Sequence, residues 1–167
     1  MIYQLKVTLR GTKPSIWRRL LVPGDTRLSR LHRILQRAMG WDDSHLHAFT
    51  LGGGKIGSEP RLSLEQVLPS EKGRLRYEYD FGDGWEHDIL VEKLLARQED
   101  VWYPRCVAGE RACPPEDVGG IWGYEELLEA LQDPKHERHE EFLEWAGEFD
   151  AKLFDIDAVN GALRKLR

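Results

Sequence analysis

Cysteine is nearly missing from this chain. Cys106 and Cys113 are the only two, too few to staple a small fold, and in a reducing compartment they stay thiols unless a metal takes them. Long apolar runs are lacking too: none approaches the roughly 20 residues of a membrane-spanning helix. The opening stretch MIYQLKVTLR enters a strand-like alternation rather than a secretory leader. Internal repeats and low-complexity tracts are also missing, which excludes solenoids and repetitive linkers. These absences point to a cytoplasmic protein with no membrane partner.

What is present is the composition of a folded domain. Hydrophobic residues make up 41% and aromatic residues 10%, with six Trp, whereas disorder requires low hydrophobicity. A chain of 167 residues is long enough for one ordinary core and short for two. Charge is unevenly spread. Over residues 1–40, Lys6, Arg10, Lys13, Arg18, Arg19, Arg27, Arg30, Arg33 and Arg37 face one acid, Asp25, giving +8; the remaining 15 basic and 28 acidic residues give −13, for the net −5. Such a split implies either an anionic partner for the first segment or pairing between the two halves.

Periodicity predicts strands over 2–9 and 16–22, joined by a hairpin around 11–15. Leu28, Leu31, Leu35, Ala38 and Met39 recur at helical spacing over 27–39, and Gly40 supplies the stop. A third strand is expected over 45–51, ended by Gly52-Gly53-Gly54, and a short helical turn over 62–68. Alternation over 75–81 and 86–94 about Gly82-Asp83-Gly84 reads as a second hairpin. Periodicity lapses over 97–123, which reads as a long packed loop holding Trp102, Tyr103 and Trp122. Helices are expected over 124–131, 136–146 and 156–166, the last with Asp155 as N-cap. The expected class is α+β: a small mixed or antiparallel sheet of about five strands packed on a central helix, with a long ordered loop and a helical C-terminal third. One domain over 1–167 is expected, with sheet and helix over 1–95, the loop over 96–123 and the helical extension over 124–167.

Three stretches carry a family resemblance. They are Gly40-Trp41 leading to His45-Leu46-His47-Ala48-Phe49, then Tyr79-Asp80-Phe81-Gly82-Asp83-Gly84-Trp85-Glu86-His87, then Cys113-Pro114-Pro115-Glu116-Asp117-Val118-Gly119-Gly120 followed by Gly123-Tyr124. In this order they resemble the plasmid pRiA4b ORF-3-like family, and Phe142-Leu143-Glu144-Trp145 and Phe154-Asp155 are similar to its tail. The resemblance implies a link to plasmids or mobile elements, where some members are labelled passengers related to a resolvase, and it brings no established reaction. A serine recombinase needs an activated Ser supported by arginines. Ser15, Ser29, Ser44, Ser58, Ser63 and Ser70 fall in no such constellation.

Within these stretches, Trp41, His45, His47, Asp80, Asp83, Trp85, His87, Glu116 and Asp117 form the candidate cleft. His45 and His47, two apart on an expected strand, place both imidazoles on one face, a spacing that suits two ligands of one divalent metal ion. His87 or Asp83 supplies a third ligand if the second hairpin lies beside that strand, and Cys106 and Cys113 are further candidates, although C-x6-C lacks the short spacing of zinc ribbons. The alternative is that these histidines bond to backbone or to Asp80 and Asp83 and only fix the hairpin. Glu116 and Asp117, set between two prolines and two glycines, are the candidate acid and base; equally, they pair with arginines or cap the next helix. Arg27, Arg30, Arg33 and Arg37 form a basic stripe that suits phosphates of a nucleic acid, against the plain reading of a solvated helix face. Asp80-Phe81-Gly82 lacks the kinase companions, and His136-Glu137-Arg138-His139 is one residue short of a zincin motif.

Three functions follow from these residues. The first is a non-enzymatic binding or interaction module taking a protein or small-ligand partner in a cleft beside the 97–123 segment. A second is a metal-dependent hydrolase in which His45, His47 and His87 hold the ion and Glu116 or Asp117 activates water. The third is a nucleic-acid binder using the basic helix.

Overall fold

The computed structural model describes residues 1–57 and 61–166, so Ser58 lies outside the described residues. Seven strands form one sheet in the order β4-β3-β5-β6-β1-β2-β7. They are β1 (Ile2–Leu9), β2 (Trp17–Pro23), β3 (His47–Leu51), β4 (Gly54–Gly57), β5 (Arg74–Tyr79), β6 (Trp85–Leu95) and β7 (Arg105–Glu110). Every neighbouring pair is antiparallel. Five helices complete the described residues: α1 (Leu28–Met39), α2 (Leu64–Val67), α3 (Gly120–Gln132), α4 (His139–Ala146) and α5 (Ile156–Arg164). The α+β class follows, with seven strands in place of about five. No described helix is long and apolar enough to cross a membrane.

The two-residue period of the central strands decides which face is dry. Tyr3, Leu5, Val7 and Leu9 of β1 and Trp85, His87, Ile89 and Val91 of β6 are buried, while the residues between them are only partly covered. The buried face packs against α1, whose Leu28, Leu31, Ile34, Leu35, Ala38 and Met39 are all inside. Gly40 ends α1 in a left-handed conformation, and its N–H bonds to the Gln36 carbonyl. On the other face, β6 carboxylates answer arginines of the first segment: Arg19 Nε lies 2.7 Å from Glu92, and Arg10 lies 3.3 Å from Glu86 and 3.5 Å from Asp88. Part of the charge split is thus paired within the fold.

Two strands beyond the expected set sit at the sheet edges. Gly52 and Gly53, both with positive φ (57° and 82°), make a tight turn that carries the chain back as β4 rather than into a loop. Inside the stretch read as a loop, β7 pairs with the open edge of β2. Its other edge is closed by one side chain: Asn160 of α5 accepts from the Cys106 N–H at 2.8 Å and donates to the Cys106 carbonyl at 2.9 Å. That strand has no alternation of its own, because its place is fixed by the neighbours on either side. Helix α3 also begins earlier than its apolar spacing suggests, since Gly119 and Gly120 bring its first turn against the Asp83 backbone. Helix α5 begins as expected, with the Asp155 carboxylate accepting from Ala158 N–H.

The arginine stripe lies on the outer side of α1, with Arg27, Arg33 and Arg37 exposed and Arg30 partly covered. Asp25 shares a hollow with Arg27 and Arg30, and Asp42 and Asp43 share another with Arg33 and Arg37. Acids therefore border the stripe at both ends.

Candidate metal centre

The site forms where β5 leaves the sheet. Asp80, the first residue of the β5–β6 connection, has φ 60° and is buried. A short polar side chain tolerates that left-handed backbone by bonding locally. Its Oδ1 accepts from the N–H groups of Gly82 at 3.1 Å and Asp83 at 3.3 Å, which holds the turn and leaves Oδ2 pointing away from it. The Asp80 N–H donates to the Leu46 carbonyl at 2.8 Å, so the segment just before β3 is tied to the same turn. This tie fixes His45.

His45 Nε2 stands 2.7 Å from Asp117 Oδ1, 3.5 Å from Asp80 Oδ2 and 3.8 Å from Glu116 Oε2. His45, Asp80 and Asp117 each offer one ligand atom, and these atoms lie within 4.8 Å of one another; this is the one such group among the described residues. The contact with Asp117 has the distance of an ion pair without the alignment of a hydrogen bond, and both His45 Nε2 and Glu116 Oε2 are buried atoms lacking a hydrogen-bond partner. Burial works against a charge on His45, but Asp80, Asp117 and Glu116 outweigh it and raise the imidazole pKa.

The loop bearing the two acids is held from several sides. Trp41 Nε1 donates to the Pro114 carbonyl at 3.0 Å, and Asp83 Oδ2 accepts from the Gly119 N–H at 3.2 Å. Adding a Cβ to Gly120 would place it 2.5 Å from the Asp83 carbonyl oxygen, so this close approach requires glycine. Glu116 Oε1 accepts from Tyr79 Oη at 2.9 Å and from the Asp42 N–H at 3.1 Å, while Tyr79 Oη accepts from the Ser44 N–H at 3.0 Å. Burial of Glu116 raises its pKa despite these donors, and burial, with Glu116 nearby, pushes the Tyr79 hydroxyl up to about 12.

The other candidates lie elsewhere. His47 stacks flat on His32, with ring centroids 3.5 Å apart and planes 6° from parallel, and burial followed by that neighbour lowers it to about 4. His32 bonds Tyr77 Oη and Asp43 Oδ1, each at 2.7 Å, and Gln36 donates to the same Tyr77 hydroxyl at 2.9 Å. His87 is fully buried, its Nδ1 3.2 Å from the Tyr77 carbonyl, and burial lowers it to about 4. Trp85 lies wholly inside the core, stacked near Trp41. Cys106 and Cys113 donate to the carbonyls of Ala108 and Pro114 at 3.3 and 3.4 Å, and burial raises both thiols. Asp83 serves the turn and the loop, outside the ligand group.

His45, Asp80, Glu116 and Asp117, all candidates from the sequence, come together, whereas His47 and His87, grouped with His45 by spacing, stand outside this cluster. Tyr79, Asp42 and Ser44, which support Glu116, were not among the candidates. The signal for Tyr79 was its place beside Asp80, on the same alternating face as Tyr77.

Comparison with known proteins gives the family. An uncharacterised protein, y4hQ of Sinorhizobium fredii, is 41% identical over an alignment of 179 positions that spans 99% of this chain and 92% of the relative. The crystal structure of MM3350 from Methanosarcina mazei, a protein of unknown function, matches with a TM-score of 0.87 and 41% identity, covering 93% of this chain and 96% of that one. With residues 1–158 matching the family profile as well, the chain belongs to the plasmid pRiA4b ORF-3-like proteins.

Proposed function

We propose that this protein binds a divalent cation through His45 Nε2, Asp80 Oδ2 and Asp117 Oδ1, with Glu116 Oε2 beside them, and presents that ion to a small-ligand or protein partner. The observation that carries this reading is the unaligned convergence of one imidazole nitrogen and three carboxylate oxygens within 3.8 Å of it. Two buried atoms of the cluster, His45 Nε2 and Glu116 Oε2, lack an aligned hydrogen-bond partner, which leaves lone pairs directed at a common point for a cation. One nitrogen with carboxylate oxygens suits zinc, manganese or iron(II). Asp117 is the most exposed of the set, so a partner approaches the ion from its side. His47, His87 and the two thiols have no part in it.

The test is elemental analysis of purified, untagged protein, followed by calorimetric titration with Zn²⁺ and Mn²⁺. About one equivalent of metal per chain, bound clearly more weakly after His45→Ala, supports the site. A folded protein that takes up no metal even after reconstitution sinks it.

A second reading, metal-assisted hydrolysis, is favoured by Glu116. Its raised pKa and unpartnered Oε2 beside the ligand atoms suit a general base for a water that a bound cation would polarise. Glu116→Gln would then keep the metal and lose turnover of a phosphodiester reporter. We place the protein in the cytoplasm, where Cys106 and Cys113 stay free thiols.

A further inference from the structure

A separate pocket lies between the β1–β2 connection, the residue following β7, and the outer face of α3. Its cavity of about 250 Å³ is lined by Thr12, Lys13, Arg111, Tyr124 and Glu125 over a floor that includes Ile121. It shares no residue with the His45 cluster. Its shape is set by packing: Gly11 has φ +86°, and a Cβ there would meet Ile121 Cγ1 at 3.1 Å, so the turn reaches α3 only with glycine.

Two hydroxyls in this pocket have hydrogen-bonding capacity to spare. Among the described residues, Thr12 Oγ1 and Tyr124 Oη are buried without an aligned hydrogen-bond partner, and Tyr124 as a whole is only 3% exposed. A buried hydroxyl without an aligned partner is costly, and a single water is small against the space, since each occupies about 30 Å³ in the liquid. The Arg111 guanidinium lies close enough to Tyr124 Oη to favour its ionised form by charge and as a hydrogen-bond donor, against the burial that pushes the hydroxyl's pKa up; the hydroxyl proton is left free to donate to a ligand. Neither Arg111 nor Lys13 has a carboxylate at ion-pair distance among the described residues. Glu125 is the one acid in the lining, so the pocket is net positive by one charge.

We propose that this pocket binds a small oxyanion, the carboxylate or phosphate group of a metabolite, using Arg111 and Lys13 as charge partners and the hydroxyls of Thr12 and Tyr124 as donors. An oxyanion answers all four groups at once, because hydroxyls donate and both cations carry only donors. A cation would be repelled by Arg111 and Lys13. A neutral ligand would leave both charges without a partner.

The experiment is a ¹H–¹⁵N correlation titration of the full chain with sodium phosphate and, separately, sodium acetate at fixed ionic strength. It is run on the wild type, Arg111→Gln and Tyr124→Phe, the last keeping the buried ring and hence the fold. Saturable shifts clustered on the amides of residues 11–13, 111 and 121–125 are expected. Arg111→Gln should weaken binding about tenfold or more and Tyr124→Phe several-fold, as loss of a charged and a neutral hydrogen bond predicts. Tighter binding of phosphate assigns the site to phosphorylated ligands, and tighter binding of acetate assigns it to carboxylates. Shifts that never saturate, shifts centred on the α1 arginines, or binding unweakened by either substitution overturn the proposal.

Discussion

His45 and His47 stand two residues apart and share one side-chain chemistry, yet the fold gives them opposite surroundings. His45 precedes the strand, meets three carboxylates and has its pKa raised. His47 opens the strand, stacks on His32 and falls to about 4. Leu46 between them is 73% exposed, so the regular alternation that would have aligned both imidazoles begins only after it. The difference teaches that spacing brings ligand types near one another, while the neighbours from other elements decide which of them converge. Asp80 and the 113–119 loop choose His45; α1 chooses His47.

The change expected to do most damage to the comparison is at Asp80, which serves both the turn and the cluster. Asp80→Ala should abolish measurable metal binding, a loss of at least about 100-fold, and lower stability by about 2 kcal/mol in urea unfolding, because the Gly82 and Asp83 N–H groups lose their acceptor. Asp80→Asn, which tolerates the left-handed backbone, should keep most of that stability and still bind metal far more weakly. Equal loss of stability in both variants would break the assignment of Oδ1 to the turn and Oδ2 to the ion.

Next in size is an acid effect from the buried histidines. The unfolded chain protonates a histidine near pH 6.5, whereas folded His87 stays neutral down to about 4. Between those values the unfolded state binds the extra proton, so stability is complete above about pH 6.5 and is lost as the pH falls toward 4. The loss is on the order of 3 kcal/mol for a fully buried group. Thermal unfolding followed from pH 7 to pH 4 should show it, and His87→Leu should flatten that limb.

His45→Ala should weaken zinc or manganese binding about 30-fold while the melting temperature holds within a few degrees, because His45 is partly exposed and outside the strand. His47→Leu should leave the metal affinity within about threefold of wild type. Calorimetry on the pair sharpens the comparison, and a reversed result would exchange their roles. Metal affinity should also fall with decreasing pH, since the ion must displace the proton that the carboxylates favour on His45.

The smallest effect is at Glu116. Glu116→Gln keeps a side-chain oxygen able to accept from Tyr79 and the Asp42 N–H, so metal affinity should drop only about fivefold. A much larger drop measured by the same titration would make Glu116 a full ligand.

Much of the fold was legible in the sequence. The leucines of α1 with Gly40 behind them, the alternation of β1 and β6, and Asp155 before α5 are local signals, and local physics placed each element near its observed position. β4 and β7 were not legible. β7 carries Cys106, Gly109 and exposed residues in no clear period, and it exists because β2 had an open edge and Asn160 could answer the other side. Gly109 marks that dependence, since a Cβ there would sit 2.7 Å from the Phe154 ring.

The candidate site divides in the same way. Residue types and their clustering in three stretches singled out His45, Asp80, Glu116 and Asp117, because imidazoles and carboxylates between turn-forming glycines and prolines are uncommon in plain core sequence. Their grouping depended on distances across 35 to 72 positions of chain, between His45, Asp80 and Asp117. By itself the sequence determined the family, the α+β class and the chemical inventory, since these rest on local pattern and residue identity. Only the tertiary structure decided which histidine faces the acids and which two hydroxyls are left buried beside Arg111, because burial and convergence are properties of packed neighbours that no local spacing contains.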